Sequence, residues 1–386
     1  MKTAKLANIA DIQTGPFGSQ LHKEDYVDAG TPIVTVEHLG RRKLSNKNVP
    51  FVSESDAHRL SKYSLEQGDI VFSRVGSVDR CSQVSENEAG WLFSGRCLRV
   101  RPNDSMIDPD YLYYFLTLPK TQEFIRAIAV GATMPSINTS LLGEVDIDLP
   151  PLSEQVGIAK GLGALDDKIA ANSRIIRIAT HLNINLVEKA VTKELEHLQN
   201  LADITMGSSP KGEFLNEEGI GEPFFQGVRD FGELFPSERV FAEKAVRTAQ
   251  EGDILFAVRA PIGEVNIAER PCVIGRGIAA IRGKQSHLGL FYLLKGHPEL
   301  WETYQSSGTV FAGINKSDLH NAVIPVLRDS EKLEQQLTPS HERAMHALRE
   351  NQVLARTRDE LLPLLMSGRI TVGEAENAAD EAASES

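Results

Sequence analysis

A pentapeptide that occurs twice constrains this chain more than any other feature. Gly68-Asp69-Ile70-Val71-Phe72 returns as Gly252-Asp253-Ile254-Leu255-Phe256. Other echoes keep the same order: Ala10-Asp11-Ile12 with Ala202-Asp203-Ile204, Gly95-Arg96 with Gly275-Arg276, and Gly131 to Asn138 with Gly308 to Asn315. The offset shrinks along the chain, from 192 (Asp11 to Asp203) through 184 (Gly68 to Gly252) to 177 (Asn138 to Asn315). A duplicated domain whose loops have changed length while its framework has not gives this pattern. Two similar domains in one chain imply two similar things gripped at once.

Each repeat has a strand-rich, glycine-punctuated region followed by a long helix. Asp69–Arg74 and Leu92–Arg101 read as strands, rich in β-branched and aromatic residues between glycines. Asp110–Ala129 reads as a helix with Tyr111, Phe115, Leu118, Phe124 and Ile128 on one face, and Gly289–Tyr304 matches it in the second repeat. At Asp148-Leu149-Pro150-Pro151-Leu152-Ser153-Glu154-Gln155 the prolines bar helix, and Ser153 is placed to cap the helix that follows. No proline interrupts 153–198. At about 1.5 Å per residue such a helix would run roughly 65–70 Å. Ser330–Ser367 reads as a second long helix, with kinks expected at Pro339 and Pro363.

The two helices share a register. Ile158, Leu165, Ile169, Asn172, Ile175, Leu182 and Leu186 recur, 179 residues on, as Leu337, Ala344, Leu348, Asn351, Leu354, Leu361 and Leu365. Spacing by threes and fours is a coiled-coil seam, and one polar residue within it sets register at a cost in stability. Asn172 and Asn351 are those residues. Two positions spoil the match, where Leu162 meets His341 and Ala179 meets Arg358. Two long surface helices on separate cores would be the alternative; the matching asparagines favour pairing. The expected fold is α+β: two similar domains, 1–150 and 199–328, carried on helices 151–198 and 329–370. These helices form a central antiparallel coiled coil with a pseudo-two-fold axis. Residues 371–386 read as a disordered tail, with five acids and no base from Glu374 onward.

The net charge is −12, which counts against a uniformly polyanion-binding surface and leaves local patches as the only route to nucleic acid. Residues 1–150 hold 16 Lys/Arg against 19 Asp/Glu and so are near neutral. Three cysteines without metal-ligand spacing read as reduced thiols, and no segment has the length of a signal peptide or membrane span. The expectation is a cytoplasmic bacterial or archaeal protein with no membrane partner. His22, His38 and His58 lack companions at metal-ligand spacing, so no metal site is expected. Neither a Gly-x-x-x-x-Gly-Lys-Ser/Thr nor a Gly-x-Gly-x-x-Gly phosphate loop is present, nor an Asn-Pro-Pro-Tyr/Phe motif. No catalysis is expected of this chain alone.

Across nearly its full length the chain resembles the specificity subunit of type I restriction-modification systems. The resemblance rests on the opening Leu6-Ala7-Asn8-Ile9-Ala10-Asp11-Ile12-Gln13-Thr14-Gly15-Pro16-Phe17-Gly18-Ser19 and on the two Gly-Asp-Ile strands. It rests also on the run from Gly131 through Ile137 to Gln155 and on Glu360-Leu361-Leu362-Pro363-Leu364-Leu365-Met366-Ser367-Gly368-Arg369-Ile370. The second repeat departs from Pro-Pro-Leu-x-Glu-Gln, reading Pro325-Val326-Leu327-Arg328-Asp329-Ser330-Glu331-Lys332. The resemblance implies two target-recognition domains, each reading half of a split double-stranded DNA site, with the helices as a ruler. It also implies two docked methyltransferase subunits that methylate adenine N6, and restriction subunits that can join. S-adenosylmethionine would then sit on the methyltransferase, and ATP and Mg on the restriction subunit, with no cofactor on this chain. A protein-assembly scaffold and a specificity protein of another phage-defence complex stand as alternatives.

DNA readers use Arg or Lys for guanine edges and phosphates, and Asn or Gln for adenine. The first domain offers Arg41, Arg42, Lys43, Arg74, Arg80, Arg96, Arg99 and Arg101; the second offers Lys211, Arg229, Arg259, Arg276 and Arg282. Alternation places Arg99 and Arg101 on one strand face, which is either DNA-facing or solvated. Arg96 and Arg276 follow a repeated glycine and so are expected in equivalent places. The loops Gln13 to His22 and Thr205 to Asn216 diverge, as half-site readers should, though their Gly and Pro also suit plain turns. Gly131-Ala132-Thr133 and Ser307-Gly308-Thr309 suit either phosphate approach or tight packing.

Overall fold

The computed structural model describes residues 2–16, 20–305 and 313–375. The tail beyond 375, Ser307-Gly308-Thr309 and Phe17 to Ser19 lie outside the described residues. The chain forms two units, 1–169 with 352–386, and 170–351. Each unit therefore takes one recognition domain and part of both long helices. Among the described residues no helix is long and apolar enough to cross a membrane.

In their central sheets the two domains repeat one topology strand for strand. In the first, an antiparallel sheet runs Ala10–Thr14, Cys97–Pro102, Ile70–Ser73, Cys81–Gln83. In the second the same order is Ala202–Met206, Ile278–Gly283, Ile254–Ala257, Val265–Ile267. A second sheet in each domain contains one parallel pair, Thr31–Val34 with Leu92–Phe93 and Glu222–Phe225 with Cys272–Ile274. The Gly-Asp-Ile strands are buried on both faces, which is why they read as unbroken apolar runs: Ile70 and Phe72 enter one core and Val71 another. Ile254 and Phe256, with Leu255, divide the same way. The expected strand Leu92–Arg101 is two strands, because a turn at Ser94-Gly95-Arg96 interrupts it.

The motif's first two residues build the entry to that strand. Gly68 and Gly252 adopt φ of +89° and +83°, which a side chain would strain. Asp69 then accepts the backbone N–H of Glu66 at 2.8 Å, and Asp253 that of Gln250 at 2.7 Å, closing the same turn in each domain.

The single helix expected over Asp110–Ala129 is two, Pro109–Leu116 and Pro119–Ile128. Pro119 forces Leu118 into an extended conformation, with ψ of 135°. The second domain breaks likewise, with His287–Gly296 ending before Pro298. The first long helix spans Leu152–Ala190 and stops short of 198. Val191–His197 is instead a strand paired antiparallel with Val323–Leu327, as Lys2–Lys5 pairs with Asp146–Leu149. An open strand edge in the second domain thus overrides helix continuation at the β-branched Val191-Thr192. The second long helix, Ser330–Met366, runs through Pro339 and Pro363 without interruption.

Within the 170–351 unit the two helices run antiparallel. Asn172 Nδ2 donates to Glu350 at 2.8 Å, Asn351 Nδ2 to Ser173 at 3.2 Å, and Ser340 Oγ to Asn183, so from the asparagine pair to Asn183 the numbers rise on one helix and fall to Ser340 on the other. Within the other unit Arg358 pairs with Asp166. Each seam asparagine therefore bonds to the neighbour of its counterpart. The first helix departs from the expected stripe after Asn172: Leu182 is 49% exposed, while Ile176, Ala179, Asn183 and Val187 are buried. A straight helix drifts by about 20° per heptad against a strict seven-residue repeat. Here the drift turns the stripe toward the second domain, whose core takes Ile176, Ala179 and Val187. The two apparent flaws are occupied polar positions. His341 is buried with its Nδ1 2.9 Å from Tyr292 Oη, and Arg358 is buried against Asp166.

Although the second helix lacks the Pro-Pro-Leu-x-Glu-Gln start, it keeps the contact that start makes. Gln155 Oε1 accepts the backbone N–H of Asp108 at 2.9 Å, ahead of the helix that Asp108 caps. Glu334, 179 residues on, accepts Ser286 Oγ at 2.6 Å and Leu288 N at 3.1 Å at the matching helix start. A carboxylate at a helix N-terminus gains from the free N–H groups and the helix dipole.

Candidate nucleic-acid interface

Several candidate arginines form the domains' internal framework. Arg99 is 5% exposed and paired with Asp11 across the sheet. Arg101 grips the buried Asp69 with two nitrogens, at 2.8 and 2.7 Å, and also meets Glu66. The hydrogen bonds to Asp69 hold its guanidinium above its ordinary pKa. In the second domain Arg282 Nε meets Asp253 at 2.6 Å in the matching position. Alternation does put Arg99 and Arg101 on one face, but that face carries cross-links to the chain's own carboxylates.

The Arg41-Arg42-Lys43 cluster divides. Arg42, at a φ of +62°, donates its backbone N–H to Tyr113 Oη at 2.6 Å and its guanidinium to Gly163 O and Asp167, on the first long helix. Arg41 pairs with Asp359 on the second. Together they fasten the loop between Leu39 and Leu44 to helix segments of the same unit, and of the three Lys43 alone is exposed without an ion pair among the described residues. Arg80 is exposed, but its guanidinium donates to Leu39 O of the same loop.

Apart from Lys211, the remaining candidates gather at one kind of place, a tight turn at the end of the central sheet. In the first domain Ser94-Gly95-Arg96 closes with Cys97 N donating to Ser94 O at 2.9 Å, and Arg74 N donates to Arg96 O at 2.8 Å. Arg74 Nη1 reaches Gly95 O at 3.2 Å, and Arg96 is exposed. In the second domain Gly275-Arg276-Gly277 closes with Ile278 N donating to Gly275 O at 3.0 Å, and Val258 N donates to Gly277 O at 2.9 Å. Arg276, Arg259 and Arg229 are exposed, and Lys211 stands 3.9 Å from Glu213. A glycine presses on each turn: a Cβ on Gly15 would meet Ser94 O at 2.2 Å, and one on Gly207 would meet Gly275 O at 2.2 Å. The divergent loops after Thr14 and Met206 therefore start on these turns.

Strand register corrects one equivalence. Ser73 faces Cys97 as Ala257 faces Ile278, which sets Arg96 against Gly277 and Arg276 against Gly95. The two arginines sit one residue apart in otherwise identical turns, so each projects differently. Gly131, at a φ of +111°, opens a loop whose Pro135 and Ile137 bond back to Gly76 and Arg74, with Gly131, Ala132 and Thr133 exposed beside the turn.

The structure brings in residues that the sequence did not single out. Gly275 N donates to Phe225 O, Gly277 N to Gln226 O at 3.1 Å, and Ile274 N to Arg247 O at 3.0 Å. Gln226 and Arg247 thus join Arg276 and Arg229 at the second tip, and Thr35 holds the matching position beside Arg96. Tertiary pairing alone brings these residues together; nothing in their local sequence marks them.

Comparison with known proteins gives a consistent result. The family model described as "Type I restriction modification DNA specificity domain" matches residues 1–179 and again 191–336. The MjaX type I restriction enzyme specificity subunit of Methanocaldococcus jannaschii is 30% identical over 382 residues, 91% of this chain and 89% of the relative. The MjaIX specificity subunit of the same organism is 25% identical, covering 96% and 93%. The crystal structure of a type I restriction-modification S subunit from M. genitalium shares the fold, with a TM-score of 0.63 and 17% identity over 94% of this chain and 95% of that one.

Proposed function

This chain belongs to the family of type I restriction-modification DNA specificity subunits, and we propose that its two domains read the two halves of a split, asymmetric duplex site through their sheet-end turns. The observation that carries this reading is the contrast between the tips. One framework, locked by matching Asp–Arg pairs, exposes Arg96 beside the half-buried Arg74 at one tip and Arg276, Arg259 and Arg229 at the other. A shared framework with different exposed donors suits two readers of different sequence.

In this reading the chain works in the cytoplasm and does no chemistry. Two methyltransferase subunits, holding S-adenosylmethionine, are directed to adenine N6 at the sites it selects. Restriction subunits holding ATP and Mg join the same assembly. Affinity comes mostly from phosphate contacts and falls with salt, at a slope near −0.9 per phosphate contacted. Lys43 and Lys211 supply charge at the margins, while Arg41, Arg42, Arg80, Arg99, Arg101 and Arg282 hold the domains in shape.

The test is the salt dependence of binding by the assembled complex. Arg276→Ala and Arg96→Ala should each lower the slope by about 1 or relax one base position. Arg99→Met should change neither once stability is matched. A slope and sequence preference unaffected by both tip substitutions would reject the assignment.

A further inference from the structure

At the second tip one exposed side chain, Gln226, is tethered by the turn beside it. Gln226 leaves the end of the strand Glu222–Phe225, and its backbone carbonyl accepts Gly277 N at 3.1 Å. Arg276 N donates to Ser209 Oγ at 3.2 Å, and Ser209 Oγ lies 2.8 Å from Gln226 Oε1. The Ser209 hydroxyl accepts the Arg276 N–H on one lone pair and donates its proton to Gln226 Oε1. Gly275 admits the arrangement: a Cβ there would come within 2.5 Å of Oε1.

This relay runs from the turn carrying Arg276, through the divergent loop, to the Gln226 amide. It tethers the amide to the turn through Oε1. Among the described residues Nε2 has no acceptor, and Oε1 keeps a second lone pair. An exposed glutamine ordinarily loses rotamer freedom when it is immobilised on binding. Here part of that ordering is done in advance, as a reader with low entropic cost requires. The matching position in the first domain is Thr35, whose hydroxyl lies 3.0 Å from His38 Nδ1, so among the described residues the device occurs at the second tip.

We propose that Gln226 is a specificity-determining residue that reads an adenine in the major groove, Nε2 donating to N7 and Oε1 accepting from N6, with Ser209 as its positioning residue. A carboxamide offers this donor–acceptor pair, and adenine is the base whose major-groove edge matches it. The assignment rests on the reading of the tips as DNA-facing, and names which base one of them takes.

The experiment uses the full chain assembled with its methyltransferase partner. Methylation rates are measured on duplexes carrying the wild-type site with one base pair replaced at a time. Gln226→Ala should reduce discrimination about tenfold at one A·T pair of one half-site, leaving the other half unchanged. Gln226→Glu should shift preference at that same position toward cytosine, whose N4 donates to a carboxylate. Ser209→Ala should weaken discrimination at the same position by less. Wild-type discrimination at every position in Gln226→Ala would overturn the assignment, as would a uniform loss at all positions in both Gln226 variants. A wild-type complex whose methylated sequence does not depend on this chain would overturn the proposed function itself, and this assignment with it.

Discussion

Asp253 holds Arg282 at 2.6 Å through Oδ1 while its Oδ2 accepts the Gln250 backbone N–H at 2.7 Å. Asp69 and Arg101 form the same arrangement in the first domain, where Asp69 is 1% exposed. The aspartate of the repeated pentapeptide therefore ties turn, strand and neighbouring strand together. Its role is structural, and the repeat marks a shared scaffold.

Asp69→Ala should consequently destabilise the protein by about 2–4 kcal/mol, since it strands a partly buried guanidinium and an orphaned N–H. Arg101→Lys should recover only part of the native stability, because an ammonium cannot make the two-nitrogen grip. Denaturant unfolding midpoints measure both. A loss below about 0.5 kcal/mol for Asp69→Ala would remove the scaffold role.

Arg358 is buried against Asp166, which also accepts Tyr114 Oη at 2.7 Å. Arg358→Met leaves that carboxylate without its countercharge and should cost about 3 kcal/mol. Adding Asp166→Asn should return part of the loss, and a double-mutant cycle gives the coupling. Strict additivity would show that the two do not interact.

His341 gives the fold an acid sensitivity. Burial pushes its pKa down to about 4 from an ordinary 6.5, with Glu334 opposing and His287 adding to the shift. The unfolded chain therefore binds a proton between these values that the folded chain does not. Stability rises with pH across that window and is lost as pH falls from about 6.5 to 4, by about 1.4 kcal/mol per unit at most. His341→Gln should flatten this part of the stability profile; an unchanged profile would contradict the burial argument.

Cys81, Cys97 and Cys272 are buried, and burial pushes each thiol up to about 12. Folded protein should therefore resist thiol-specific reagents at neutral pH, and all three should react on unfolding. Rapid labelling of any one in the folded state would refute this.

Much of the architecture was legible in residue order. The repeated pentapeptide located the central strand of each domain, and Pro150-Pro151 located the start of the first long helix. Local rules also held answers that periodicity hid: Pro119 and Pro298 break helices whose aromatic faces read as continuous. Other features depend on tertiary pairing. Helix ends at Ala190 because a strand edge takes Val191 onward, and the seam leaves Leu182 because the second domain pulls the stripe round. The candidate site was least legible. An arginine's role depends on whether a carboxylate meets it, and Asp69 lies 32 residues from Arg101. The echo of Gly95-Arg96 in Gly275-Arg276 misled by one residue, since only strand register shows which backbone positions correspond. Gln226 became visible only when Ser209 and Gly275 were brought beside it.

The most direct test of two-domain readout is the genome-wide map of methylated adenines in cells expressing this chain with its methyltransferase, compared with cells expressing the Arg276→Ala and Arg96→Ala chains. The account expects a split motif in the first case, with each substitution relaxing bases in a different half. A continuous motif, or two substitutions that alter the same half, would contradict it.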